Sequence, residues 1–189
     1  MLNIPEYKEY GGETKIALMD NSSLAFMHEL SQRSYPSDGI LSVYDLILIP
    51  KWVMEEIEDS TYRSTYVEQL QAQGYPIRWI DETKYGAFVN DEDVNLYYIV
   101  EAAVSRVSEL MRFLRRKVKT EDLIDLPSAE EWMNRLYDEW PIHGRTLSTG
   151  RTLKKNAGEI SLTILAEIFA WYHDGSSSAD RSASPDRRY

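Results

Sequence analysis

Residues 15–26 read KIALMDNSSLAF. The apolar run over residues 15–20 has the pattern of a strand buried on both faces. It ends in Asp20, and Asp20, Asn21 and Ser22 are all good N-caps. Over residues 22–33, Leu24, Met27 and Leu30, with Phe26 nearby, recur at helical spacing. A carboxylate between a strand and a helix either caps that helix or holds a metal ion. The remainder of the chain decides between the two.

The same alternation continues. Residues 46–49 form a second apolar run, closed by Pro50, a residue suited to the first turn of a helix. Trp52, Val53, Met54 and Ile57 give that helix an apolar face, and a polar helix continues through Tyr66 and Leu70 to Gly74. Residues 76–80, PIRWI, read as a third strand. Strand, helix, strand, helix, strand predicts an α/β domain with a parallel central sheet flanked by helices. Sites in such sheets lie at the carboxyl ends of strands, which is where Asp20 stands. Residues 1–14 read as a lead-in broken by Gly11 and Gly12. Over residues 94–118 one apolar stripe runs from Tyr97 to Leu114, and SAEE at 128–131 opens a short helix with a capping box. Residues 141–156 read as a basic loop, and residues 160–172 as an amphipathic helix. The tail, 175–189, has the composition of a disordered segment. The chain thus reads as one domain over 1–174, with a helical insertion at about 90–149.

Composition narrows the classes. Lys plus Arg number 21 and Asp plus Glu 31, a net charge of −10, which argues against a general basic nucleic-acid binder. An acidic site filled with divalent metal still presents positive charge to phosphate. With no cysteine there is neither a disulfide nor a thiolate nucleophile, and nothing points to secretion. No window reaches the roughly 18 apolar residues of a membrane span. The expectation is a soluble, cytoplasmic protein that does not meet a membrane.

Three acids stand at helix starts or on first turns: Asp20, Glu56 in IPKWVMEEIED and Glu159 in NAGEISLTILAEI. Divalent metals assist phosphodiester hydrolysis by lowering the pKa of a bound water and neutralising phosphate charge. Mg²⁺ takes a few carboxylates and keeps several waters. Their order, strand-Asp-x-Ser, then Ile-Pro-x-x-Val-x-x-Glu-Ile, then Gly-Glu-x-x-x-x-x-x-Ala, resembles the PIN-domain family. The resemblance implies a PIN-like fold and a metal-dependent endoribonuclease using Mg²⁺ or Mn²⁺. It implies Asp20, Glu56 and Glu159 as catalytic metal ligands and Ser22 as the small polar residue beside the RNA. The family's last motif is an apolar strand ending in Asp. SSSADRSA brings Asp180 to about that place, though Ser176 to Ser178 replace the strand's apolar residues, and Asp174 is the other acid at hand. Toxin-type members imply an antitoxin partner, and a homodimer is compatible with the aromatic stretches NLYYIV and EEWMNRLYDEW. The degraded last motif implies the alternative, a PIN-like interaction module that no longer cleaves.

Each acid also has a plainer reading. Asp20 alone is an N-cap, Glu56 a solvated helix acid beside Glu55, Glu58 and Asp59, and Glu159 a first-turn acid favoured by the helix dipole. Arg145, Arg151, Lys154 and Lys155 in HGRTLSTGRTLKK supply either RNA phosphate contacts or a solvated mobile loop. The basic RFLRRKVK segment complements a helix C-terminus. His28, His143 and His173 lack ligand spacing. A haloacid-dehalogenase-type phosphatase needs Asp where Ser22 stands. A P-loop or a Rossmann turn needs glycines that MDNSSL and GGETKIAL do not place.

Overall fold

β2 (Leu46–Pro50) is buried at every residue and lies between two parallel partners, β1 (Ile16–Leu18) and β3 (Ile77–Ile80). In this computed structural model residues 2–33, 37–89, 93–118, 126–147 and 150–172 are described. Around the strands run α1 (Asn21–Gln32), α2 (Lys51–Glu58), α3 (Thr61–Ala72), α4 (Asp93–Val104), α5 (Ser108–Lys117), α6 (Ala129–Asp138) and α7 (Ala157–Tyr172). Two 3₁₀ segments, Ser37–Val43 and Glu82–Phe88, and an antiparallel hairpin, β4 (His143–Thr146) with β5 (Thr152–Lys154), complete the described elements. The class is α/β with a three-stranded parallel sheet.

Alternation along β2 sorts the interior into two cores. Leu46 and Leu48 face a cluster with α4, α5, α6 and α7, in which Val100, Leu110, Met133 and Ile164 are buried. Ile47 and Ile49 face the opposite cluster with Leu24 of α1, Val53 and Ile57 of α2 and Val67 of α3. The region expected as an insertion contributes α4, α5 and α6 to one of these two cores, together with α7. β1 is only half-buried, an edge strand rather than one enclosed on both faces.

The other edge has a cover that the sequence did not suggest. Residues 5–7 run beside β3, with Tyr7 N donating to Trp79 O at 2.7 Å and Trp79 N to Pro5 O at 3.1 Å. Leu2, Ile4 and Tyr7 are buried, so the lead-in belongs to the core.

Two expected long helices are broken. After α2, Ser60 adopts an extended backbone (φ −116, ψ 108) and starts α3 afresh. Between α4 and α5, Ser105 Oγ turns back to Ala102 O at 2.6 Å and Val107 is extended. A serine hydroxyl that bonds the local backbone competes with the helix ladder. The break lets Val104, Leu110 and Leu114 enter one core. α3 ends where expected, with Gly74 at φ +94 supplying the left-handed residue that closes many helices. Among the described residues no helix is long and apolar enough to cross a membrane. The tail, with Asp174, Asp180 and His173, lies outside the described residues.

Candidate functional site

Asp20 follows β1 in an extended conformation (φ −96, ψ 167), and its Oδ1 accepts from Ser23 N at 2.7 Å. It therefore caps α1, satisfying one of the amides a helix start leaves unpaired. The cap turns the next side chain inward. Asn21 Nδ2 donates to Glu56 Oε2 at 3.3 Å, linking the end of β1 to α2. Asn21 Oδ1 is buried and has no partner among the described residues. Ser22 is exposed.

Glu56 is half-buried between Asn21 and the start of α7. A Cβ at Gly158 would stand 3.1 Å from Val53 Cγ2 and 3.2 Å from Glu56 Oε1. Glycine is thus what lets the two helices approach this closely, which accounts for its place before Glu159. Burial lifts the Glu56 carboxyl above its ordinary range, and the Glu159 charge lifts it further. The Asn21 bond and the Arg63 and Arg145 guanidiniums act in the opposite direction. Two of the three expected acids, Glu56 and Glu159, therefore share one electrostatic environment. Asp20 joins them through its neighbour Asn21 rather than by a contact of its own. Among the described residues no group of three or more His, Cys, Asp or Glu is placed to hold a metal ion. The donor chemistry that does fit a hard cation is the pair Glu56 and Glu159, oxygen ligands whose mutual repulsion a cation relieves.

Within the basic stretch, residues 143–146 and 152–154 pair as an antiparallel hairpin laid on α2 and α6. Arg145 Nη2 pairs with Asp59 Oδ2 at 3.2 Å, and Arg151 pairs with Glu55. Lys154 donates to Tyr137 O and places Nζ 3.6 Å from the Tyr137 ring centroid. Three of the four cations expected to meet RNA phosphates are thus engaged within the protein, Arg145 and Arg151 by the acids Asp59 and Glu55 and Lys154 by Tyr137 of α6. Lys155 is exposed. The hairpin is anchored by Trp140 Nε1, which donates to Lys155 O at 3.0 Å.

No family model matches this chain, and no curated protein or solved structure is significantly similar to it.

Sequence reasoning passed over a second acid site. Asp81 and Glu82 follow β3 as Asp20 follows β1. Asp81 Oδ2 pairs with Lys51 Nζ at 2.7 Å, which holds its carboxyl below the ordinary range despite burial. Glu82 is fully buried, and its Oε1 accepts from Trp52 N at 3.0 Å and from Ser161 Oγ at 2.7 Å. Ser161 Oγ also meets Tyr85 OH at 2.8 Å, and both residues are fully buried. Glu82 Oε2 has no partner among the described residues. Burial pushes this carboxyl up to about 8, against the two hydrogen bonds. The available signal was positional, an acid pair at the carboxyl end of a parallel strand. His28 packs against Tyr62 and Tyr66, and His143 lies on the exposed hairpin.

Proposed function

We propose that the chain is a PIN-like, metal-dependent endoribonuclease that hydrolyses RNA phosphodiester bonds. The observation that supports this reading best is the junction of α2 and α7, where Gly158 lets Glu159 raise the Glu56 carboxyl. Glu56 and Glu159 would hold Mg²⁺ or Mn²⁺, with Asp20 contributing the oxygen that the α1 cap does not use. The metal would supply a more acidic bound water and neutralise charge on the phosphate. Asn21 orients Glu56 by its hydrogen bond. Arg145, paired with Asp59, brings a positive charge within range of Glu56. RNA is the substrate of this reading, and an antitoxin protein or a second copy is the partner that the toxin-type resemblance adds.

A second reading, an interaction module that no longer cleaves, is favoured by a specific observation. Asp20 is committed to a cap, and no three-acid group occurs among the described residues. One assay separates the two. The nuclease reading expects Mn²⁺-dependent cleavage of single-stranded RNA by the wild type and none by Asp20→Asn. Asn caps a helix as well as Asp does, so the loss would not reflect unfolding. Equal cleavage by the two proteins removes Asp20 from the site, and none by either in millimolar Mn²⁺ leaves the interaction module.

A further inference from the structure

The helices that carry Glu56 and Glu159 are joined a second time, one turn deeper, by a single carboxylate oxygen. Glu82 Oε1 receives the amide of Trp52, the second residue of α2, and the hydroxyl of Ser161, the fifth residue of α7. Trp52 precedes Glu56 by four residues, about 6 Å along the axis, and Ser161 follows Glu159 by two, about 3 Å. We propose that Glu82 is the positioning residue of the acid pair, setting the separation of Glu56 and Glu159 by tying the first turn of α2 to α7. This rests on reading Glu56 and Glu159 as a working pair.

Four observations carry it. The N-cap of α2 is Pro50, which has no side-chain hydrogen bond to give, so the helix start takes its cap from Glu82. The neighbouring Asp81 grips Lys51, so α2 is seized at its first two residues by the end of β3. Tyr85 fixes the rotor of Ser161 from the far side, and the Trp52 ring is fixed by stacking on Tyr137 at 4.7 Å and 15°. Finally, a wholly buried carboxyl is an expensive way to fill space. An apolar side chain would remove the desolvation penalty and the unpaired Oε2, but it would release both helices. A carboxyl or carboxamide can take two bonds on one oxygen; leucine takes none.

The spacing can be read without metal or RNA. A Cβ on Gly158 would stand 3.1 Å from Val53 Cγ2, so the glycine α-proton in that direction faces the methyl, and the nuclear Overhauser effect between them reports the α2–α7 approach. In the full chain we expect that signal in the wild type and in Glu82→Gln, which keeps the bridging oxygen. We expect it to disappear in Glu82→Ala. Should that variant not fold, Ser161→Ala removes the α7 arm alone and gives the same expected loss. A wild-type signal in a folded Glu82→Ala, or failing that in Ser161→Ala, overturns the proposal. Mn²⁺ affinity forms the second arm. Wild-type affinity in a folded variant that has lost the contact also overturns the role of Glu82 in the site. A wild type that binds no Mn²⁺, with the contact still lost in the variant and kept in Glu82→Gln, fails the nuclease reading and leaves the clamp standing.

Discussion

Glu82 and Glu56 both sit above the ordinary carboxylate range, and the contrast between them separates a carboxyl closed inside the fold from one that a cation can reach. Glu82 is raised by burial, with Trp52 N and Ser161 Oγ already on one oxygen and no route to solvent. Glu56 is raised by partial burial and by a second acid, Glu159, that is itself exposed. Glu82 is relieved by protonation in a closed pocket. Glu56 and Glu159 are relieved by any cation that reaches the rim. Shifts in the same direction, set in different surroundings, thus mark a clamp and a candidate ligand pair.

Replacing Glu82 breaks that contrast most severely. Glu82→Leu leaves Trp52 N–H without its acceptor and the Ser161–Tyr85 pair without its anchor. The expected loss is about 2–4 kcal/mol in urea unfolding. Gly158→Val is the next test. It forces carbon against Val53 and the Glu56 carboxylate, and we expect a loss of about 1–3 kcal/mol, with weaker Mn²⁺ binding in the protein that remains folded.

A third prediction concerns pH. Glu82 titrates at about 8 in the folded protein against an ordinary value of 4.5. Between those values the folded state keeps a proton that the unfolded state has lost. Stability from this group is therefore full below 4.5 and falls as pH rises towards 8, by at most about 1.4 kcal/mol per pH unit. Glu82→Gln should flatten the stability–pH curve in that window. Equal slopes for the two proteins would mean that the buried carboxyl does not hold its proton.

The sequence was most legible where one local signal decides. The apolar run of β2, the cap residues after β1 and the helix over residues 160–172 all appear as expected. The helix breaks at Ser60 and Val107 were not legible: helical spacing continues across both, and at the second nothing in the apolar stripe signals that Ser105 turns its hydroxyl on the backbone. The hairpin from 143 to 154 was hidden by its charges, which suggest solvent until Glu55 and Asp59 are seen opposite them. Residues 5–7 lack strand patterning and pair only because Trp79 offers an open edge. Of the site, Glu56, Gly158 and Glu159 were legible through their order. Asn21 and Glu82 were not, since their partners lie 35 residues or more away in sequence or are backbone amides.

The central claim is that the α2–α7 junction binds a divalent cation through Glu56 and Glu159. Calorimetric titration of the metal-free protein with Mn²⁺ tests it most directly, beside Glu56→Gln and Glu159→Gln. The account predicts binding by the wild type, with affinity reduced in each single variant and release of protons at a pH near the raised Glu56 titration. No heat of binding in a folded wild-type sample, or affinity unchanged in both variants, would contradict it.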